Sequence, residues 1–174
     1  MLDRVKEAVF SVLEGYGPIR GRVLDLYAGT GSLGIECLSR GAAWADFVEM
    51  RAHVCAIIRE NLAHTRFLER SRVHQMQVGR YLATAHPMEK YDIILMDPPY
   101  ADPAIEATIG IVSASGLMAD EGLLIVGHSP RVALAERYER IRRRKFRRLG
   151  DSCFSIYEIA TETAEREEQA ASEA

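Results

Sequence analysis

The chain of 174 residues has few cysteines, no long apolar run and little net charge. Its three cysteines, Cys37, Cys55 and Cys153, lack the C-x-x-C spacing of zinc and redox sites, and no secretory leader pattern is present. These absences favour a reduced, cytoplasmic protein without a metal site. Because no apolar run approaches the ~20 residues that cross a bilayer, we expect no association with a membrane.

Length and composition indicate one domain. With 48% hydrophobic residues, a chain of this size can bury a single sizeable core. The segment 161–174 differs from the rest, because it holds five acids, one base and no aliphatic residue larger than alanine. We predict one domain over residues 1–160, acting as a monomer, and an acidic tail over 161–174 that is a frayed helix or disordered.

Apolar periodicity predicts that strands alternate with helices along the chain. Such alternation is typical of βαβ units and of a parallel sheet that is covered on both faces. We therefore predict an α/β, Rossmann-like fold with a doubly wound, mostly parallel sheet of about seven strands and a C-terminal antiparallel hairpin. The predicted strands are 22–27, 46–50, 73–76, 91–97, 123–127, 143–148 and 153–160, and the predicted helices are 3–14, one from Leu33 to before Gly41, 52–62, 105–115 and a short piece over 132–138.

A glycine turn follows the first predicted strand, in the segment DLYAGTGSLG from Asp25 to Gly34. Backbone N–H groups at such a turn can bind a nucleoside cofactor. The glycines alone leave NAD and S-adenosylmethionine open, since they also satisfy G-x-G-x-x-G, and a purely structural tight turn is a further alternative. Asp25 favours S-adenosylmethionine, because a carboxylate there suits a cationic amino group better than a pyrophosphate. The predicted cofactor contacts are Asp25, Tyr27, Ala28, Gly29, Thr30 and Gly31.

Two later strand ends add cofactor contacts. Glu49 ends the second strand, twenty positions after Gly29, where an acid can accept hydrogen bonds from both ribose hydroxyls. Gln77 follows the third strand, and we expect its amide to meet the adenine edge, with Val78 beside it. Either nucleoside cofactor would use these positions.

The tetrad Asp97-Pro98-Pro99-Tyr100 ends the fourth strand and carries the predicted catalytic residues. Two prolines fix the backbone and remove donors, so the Asp97 carboxylate and the Pro98 carbonyl become rigid acceptors for the hydrogens of an amine. An exocyclic base amine is a poor nucleophile, and two acceptors favour the geometry in which its lone pair faces a sulfonium methyl group. Tyr100 offers an aromatic face for base stacking. An ordinary proline turn is the alternative.

With these motifs the sequence resembles the bacterial 16S rRNA guanine-N2 methyltransferases of the RsmD type. The opening DRVKEAVF, the glycine segment, the tetrad and the closing Gly150-Asp151-Ser152 carry the resemblance, which spans nearly all of residues 3–158. It implies a class I methyltransferase fold, S-adenosylmethionine as cofactor, and 16S rRNA or a small ribosomal subunit assembly particle as partner. In the family, the residues matching Asp97 and Tyr100 serve the target amine and base.

The sequence departs from the family pattern at three places. Members often have Asp-Ala where this chain has Gln77-Val78, and an acid before histidine where Gly127 precedes His128. They usually carry a basic segment ahead of the opening helix, which here begins at Asp3. We interpret His128 as a structural or solvated residue rather than a catalytic base.

A basic stretch lies near the end of the domain. Residues 131–148 hold nine bases and two acids, whereas the chain without its last fourteen residues carries 21 bases and 20 acids. This stretch favours a phosphate-binding surface beside the catalytic cleft, which we assign to Arg142, Arg144, Lys145 and Arg147. A solvated edge strand is the alternative.

Three other functions stay open from the sequence. An adenine-N6 DNA or RNA methyltransferase could use the same tetrad. An NAD-linked oxidoreductase fits the glycines but not Asp25 or the tetrad. A non-catalytic RNA-binding module would keep the cofactor pocket without methyl transfer.

Overall fold

In the computed structural model, which describes residues 1–100 and 102–161, five α-helices surround one eight-stranded sheet. The helices are α1 Asp3–Gly15, α2 Ser32–Ser39, α3 Ala52–His64, α4 Val78–Thr84 and α5 Ile105–Ala114, with a short 3₁₀ helix at Leu68–Arg70. The strands are β1 Arg22–Leu26, β2 Trp44–Glu49, β3 Ser71–Gln75, β4 Tyr91–Met96, β5 Met118–His128, β6 Arg137–Tyr138, β7 Ile141–Leu149 and β8 Ser152–Ile159.

The sheet has the order β3-β2-β1-β4-β5-β8-β7-β6. The first five of these strands are parallel, whereas β8, β7 and β6 pair antiparallel. The chain moves outward through β2 and β3 on one side of β1, and then through β4 and β5 on the other. The direction of winding therefore reverses between β1 and β4, at the point where open α/β sheets bind ligands.

The two faces of the sheet bury separate apolar cores. One face packs against α1, α2 and α3 around Phe10, Phe47 and Phe154. The other packs against α4 and α5 around Tyr81 and Ile109. The buried runs of β4 and β5 match this two-sided cover, because each strand contributes side chains to both cores.

A buried carboxylate ties neighbouring strands together at some distance from the glycine turn. Asp46 on β2 accepts hydrogen bonds from Tyr91 Oη at 2.9 Å and Trp44 Nε1 at 2.9 Å. It also bonds to His74 Nε2 at 2.8 Å and forms an ion pair with Arg22 at 3.1 Å. Burial alone would raise the pKa of Asp46, but these partners hold it below its ordinary value. The network links β1, β2, β3 and β4.

The structure confirms the α/β architecture and corrects several elements. The sheet has eight strands rather than about seven, because residues 137–138 form β6. The helix predicted over 132–138 was wrong: Arg137 and Tyr138 pair with Arg142 and Ile141 of β7 across a tight turn. Helix α4 was missed. The predicted acidic tail lies outside the described residues after Thr161.

No helix in the described part of the chain is long and apolar enough to cross a membrane.

Candidate active site

A cleft of about 1570 Å³ opens at the carboxyl ends of β1, β2, β4 and β5, and the start of α1 forms one wall. The register places Leu26 of β1 beside Met96 of β4, so the glycine turn and the tetrad leave the sheet at the same level. The cleft therefore lies at the reversal of winding. Of the predicted cofactor and catalytic residues, it is lined by Asp25, Tyr27, Ala28, Gly29, Thr30, Glu49, Gln77, Val78, Asp97, Pro98, Pro99 and Tyr100.

The glycine turn has a backbone that few residues adopt. Gly29 and Gly31 have φ angles of 56° and 81°, in the left-handed region that glycine enters without strain. Tyr27 has a φ of 57° despite its bulky side chain, an arrangement that is uncommon and clusters at functional sites. A Cβ on Gly29 would meet no atom within 4 Å, so the turn borders open space. Gly31 is the N-cap of α2 and does not itself line the cleft.

Glu49 is buried but remains close to the glycine turn. Its Oε2 accepts the N–H of Gly29 at 3.2 Å, and its Oε1 accepts both the N–H and the Nε–H of Arg51 at 3.0 and 2.9 Å. Burial alone would raise the pKa of Glu49, but these hydrogen bonds hold it below its ordinary value. The carboxylate is thus fixed at the end of β2, where Oε2 can accept a further hydrogen bond.

Asp25 lies deeper, at the floor of the cleft. Its side chain is almost fully buried, and Oδ2 accepts the N–H of Gly34 at 2.9 Å. Burial raises the pKa of Asp25 to about 8; the Gly34 hydrogen bond opposes this rise, and the nearby carboxylates Asp97 and Glu49 add to it. A cation in the cleft would offset the cost of ionising Asp25.

The tetrad places an acceptor and an aromatic ring at the cleft. The Asp97 carboxylate is partly exposed, and its Oδ2 lies 2.7 Å from the amino group of Met1. Pro98 is buried behind Asp97, whereas the Tyr100 side chain is 60% exposed and presents its ring to solvent.

Gly127 of the neighbouring strand β5 makes room for the Asp97 carboxylate. A Cβ at Gly127 would lie 2.5 Å from Asp97 Oδ1, closer than real atoms approach. Glycine at this position thus lets β5 pass beside Asp97 without moving it.

The residues in which the sequence departs from the family pattern lie at the cleft. Gln77 is exposed at the N-terminus of α4, and Val78 is buried beside it, both facing the cleft. His128 is buried and bonded through its two ring nitrogens to the Ser129 carbonyl and the Ser155 hydroxyl. Burial lowers the pKa of His128. These contacts match the structural interpretation of His128.

The structure does not bring the four predicted phosphate contacts together at the cleft. Arg142 and Arg144 lie toward the other end of the sheet, where both bond to Glu158. Lys145 is half-buried in the middle of β7, and Arg147 is exposed nearer the end of β7 that adjoins the cleft. Arg142 and Arg144 therefore lie away from the cleft, because β7 begins at the opposite end of the sheet and runs toward the cleft.

Comparison with known proteins gives the family. A sequence model of the family described as Conserved hypothetical protein 95 matches residues 1–158. The chain is 31% identical to YlbH of Bacillus subtilis (strain 168) over 135 residues, which are 77% of this chain and 73% of that protein. The chain belongs to the RsmD-type methyltransferase family.

Other relatives agree with this assignment. The chain is 36% identical to Ribosomal RNA small subunit methyltransferase D of Escherichia coli (strain K12) over 124 residues, 71% of this chain. The match spans 61% of that protein's length. A solved structure of a conserved hypothetical protein from Streptococcus pyogenes aligns with a TM-score of 0.80 and 30% identity, covering 87% of this chain and 93% of that chain.

The sequence analysis of this RsmD-type methyltransferase did not predict some of the residues at or beside the site. Arg51 fixes Glu49, and its signal was a base two positions after a strand-ending acid. Gly127 makes room for Asp97, and its signal was a glycine within an otherwise apolar strand. Thr108 on α5 lies 3.5 Å from the Tyr27 hydroxyl, a contact with no sequence signal.

Proposed function

We propose that this protein transfers a methyl group from S-adenosylmethionine to the exocyclic N2 amine of a guanine in 16S rRNA, either free or in a small ribosomal subunit assembly particle. The observation that carries the proposal is the position of Asp97. Its carboxylate is partly exposed and lines the cleft at the switch point of the sheet, beside the glycine turn.

The charges of the cleft favour a cationic nucleoside cofactor. Asp25, Glu49 and Asp97 lie close enough together that the two latter carboxylates raise the pKa of the first. Of the cationic side chains at the cleft wall, Arg51 is paired with the Glu49 carboxylate, and Lys6 donates to the Ser32 hydroxyl. A doubly anionic pyrophosphate is disfavoured there, whereas an α-amino group and a sulfonium are favoured. This argues against an NAD-linked oxidoreductase.

The residues present fit S-adenosylmethionine. Glu49 would hold the ribose hydroxyls, Asp25 would face the amino group, and the open space beside Gly29 would admit the cofactor against the backbone. Gln77 and Val78 border the side where the adenine would lie. Bound there, S-adenosylmethionine supplies an electrophilic methyl group and a thioether leaving group.

Asp97 and Tyr100 act on the target base. Tyr100 stacks on the unpaired or flipped guanine, a contact worth about 1–3 kcal/mol per base. Asp97 accepts a hydrogen of the amine and orients its lone pair toward the cofactor. When the nitrogen is methylated it must lose one proton, and Asp97 receives that proton and passes it to solvent through its exposed edge.

The choice of rRNA rests on the relatives. The protein of E. coli that shares 36% identity is named for the small subunit ribosomal RNA. An adenine-N6 target is the second candidate. The chain is also 32% identical over 79 residues, 45% of its length, to a tRNA1(Val) (adenine(37)-N6)-methyltransferase of Parabacteroides distasonis. The tetrad can serve either amine, so the nucleic acid must be tested directly.

The test is methyl transfer from labelled S-adenosylmethionine to separate pools of rRNA, tRNA and DNA that lack the modification. We expect label in 16S rRNA and none above background in the other pools. Label in tRNA or DNA would favour the adenine alternative. Cofactor binding without label in any pool would make the protein an RNA-binding module.

A further inference from the structure

The basic stretch near the end of the domain is divided by the fold into two parts with different surroundings. Strand β7 starts at Ile141, paired with Ile159 at the end of β8, and ends at Leu149, paired with Ser152. Because β8 runs antiparallel to β5, the β7–β8 turn lies at the same end of the sheet as the cleft. The first arginines of β7 are therefore far from the site, and the last ones are near it.

The arginines at the far end are compensated by acids. Arg142 and Arg144 both bond to the carboxylate of Glu158, each at 3.0 Å. Arg143 forms an ion pair with Glu136 at 3.2 Å. Arg144 also lies over the ring of Tyr16, 4.1 Å from its centroid. These three side chains are held by the protein, so binding a phosphate would cost them their present partners.

Among the described residues, the arginines at the cleft end have no carboxylate partner. Arg147 and Arg148 are exposed, and within the described residues neither has a carboxylate within 4.0 Å. Arg148 donates only to the neutral carbonyl of Gly150, at 3.1 Å. Arg4 of α1 joins them, because its exposed guanidinium donates to the Leu149 carbonyl at 3.4 Å.

The three side chains surround the β7–β8 turn from different directions. Arg147 pairs with Phe154 and Arg148 with Cys153, so they point to opposite faces of the sheet. Arg4 approaches the turn from α1. The residues directly after the turn, Asp151 to Cys153, line the cleft. We call Arg4, Arg147 and Arg148 the turn cluster.

We propose that the turn cluster binds the phosphate backbone of the RNA whose base enters the cleft. This inference rests on the proposed function. Guanidinium groups bind phosphates through two parallel N–H donors, and uncompensated cations release counterions from RNA on binding. The first arginines of β7 instead hold that strand to Glu158 of β8, to Glu136 and to Tyr16.

The test compares two triple variants that remove equal charge. One carries Arg4→Gln, Arg147→Gln and Arg148→Gln, and the matched control carries Arg142→Gln, Arg143→Gln and Arg144→Gln. Affinity for an unmodified 16S rRNA transcript is measured over a series of KCl concentrations. Three lost phosphate contacts should make the slope of log affinity against log salt shallower by about 2 and weaken binding about tenfold or more at low salt.

We expect the turn-cluster variant to show this loss and the control to keep the parent slope, with S-adenosylmethionine affinity unchanged in both. Equal losses in the two variants, or no loss in either, would overturn the inference. Should the control fail to fold, Arg20→Gln, Arg66→Gln and Arg72→Gln remove the same charge from other exposed positions.

The two proposals fail in different ways. A parent that binds the transcript through the turn cluster but never methylates RNA refutes the proposed function and leaves this inference standing. A parent that methylates 16S rRNA while the turn-cluster variant binds as tightly refutes the inference alone. A parent that binds no RNA refutes both.

Discussion

At the scale of single residues, the cleft places ionisable groups where burial opposes their charge. Asp25 is the clearest case, because burial raises its pKa to about 8 while Gly34 donates its only described hydrogen bond. Such a group destabilises the empty protein once it ionises and gains most from a cationic ligand. The ionised Asp25 side chain should therefore lower the stability of the folded protein while it favours binding of the cofactor.

We predict that Asp25→Asn stabilises the cofactor-free protein by about 2–4 kcal/mol at pH 8. The folded pKa is about 8 and the ordinary value is 3.8, so the unfolded chain releases the proton first as pH rises. The parent therefore loses stability between about pH 4 and pH 8, and asparagine does not. Denaturant unfolding at pH 5, 7 and 9 measures the difference, and a gain that is the same at all three values would contradict the assignment.

Substitutions of Asp97 and Glu49 should have different effects on turnover and on cofactor binding. We predict that Asp97→Ala lowers methyl transfer by at least about a hundredfold while cofactor affinity stays within severalfold of the parent. Glu49→Ala should do the reverse, because ribose contacts are made equally in the ground and transition states. Calorimetric cofactor titration and single-turnover methylation measure the two effects. If Asp97→Ala lowered cofactor affinity as much as methyl transfer, Asp97 would be a cofactor ligand. If Glu49→Ala left cofactor affinity unchanged, Glu49 would not belong to the cofactor site.

At the scale of elements, neighbouring strands determine where the Asp97 carboxylate lies. Asp97 follows β4, and β5 passes beside it at Gly127, where any side chain would collide with the carboxylate. Gly127 is a positioning residue: it touches Asp97 and acts through it.

We predict that Gly127→Ala displaces the Asp97 carboxylate and lowers kcat about tenfold or more, with cofactor affinity nearly unchanged. Gly110→Ala is the matched control, since a Cβ there meets no atom within 4 Å and α5 should gain about 0.5–1 kcal/mol. Single-turnover rates and thermal melts of both variants give the comparison. A Gly127→Ala enzyme with the parent's rate would show that Asp97 tolerates displacement.

The elements also show which parts of the fold can be read from sequence. Strands β1, β4 and β5 were predictable because continuous apolar runs end in polar motifs, and so were α1 and α3 with their regular periodicity. Helix α4 was missed because seven residues give only one apolar repeat, Val78, Tyr81 and Leu82. The pairing of β6 with β7 was missed because Leu134 and Tyr138 lie four residues apart, which imitates helical spacing.

Within the site, the sequence predicted the motifs, but it did not predict how closely they approach one another. The glycine turn, Glu49 and the tetrad each follow a strand, so their meeting at one sheet edge follows from parallel topology. The left-handed backbone of Tyr27 and the close approach of Gly127 depend on packing between strands, which a single sequence does not encode locally. The division of the basic stretch likewise depends on the direction of β7.

At the scale of the whole molecule, one sheet edge brings binding and chemistry together. The proposed cofactor contacts follow β1, β2 and β3, the proposed catalytic tetrad follows β4, and the turn cluster lies at the β7–β8 turn of the same edge. The two apolar cores and the Asp46 network hold the strands in register behind this edge. RNA would thus approach from the side on which the cleft opens.

The central claim is the identity of the methylated atom. The measurement is nucleoside mass spectrometry of 16S rRNA from a strain lacking the activity, after incubation with the purified protein and methyl-labelled S-adenosylmethionine. We predict that the label appears as N2-methylguanosine at a single position and is lost with Asp97→Ala. Label in N6-methyladenosine, or none in the RNA despite cofactor binding, would contradict the account.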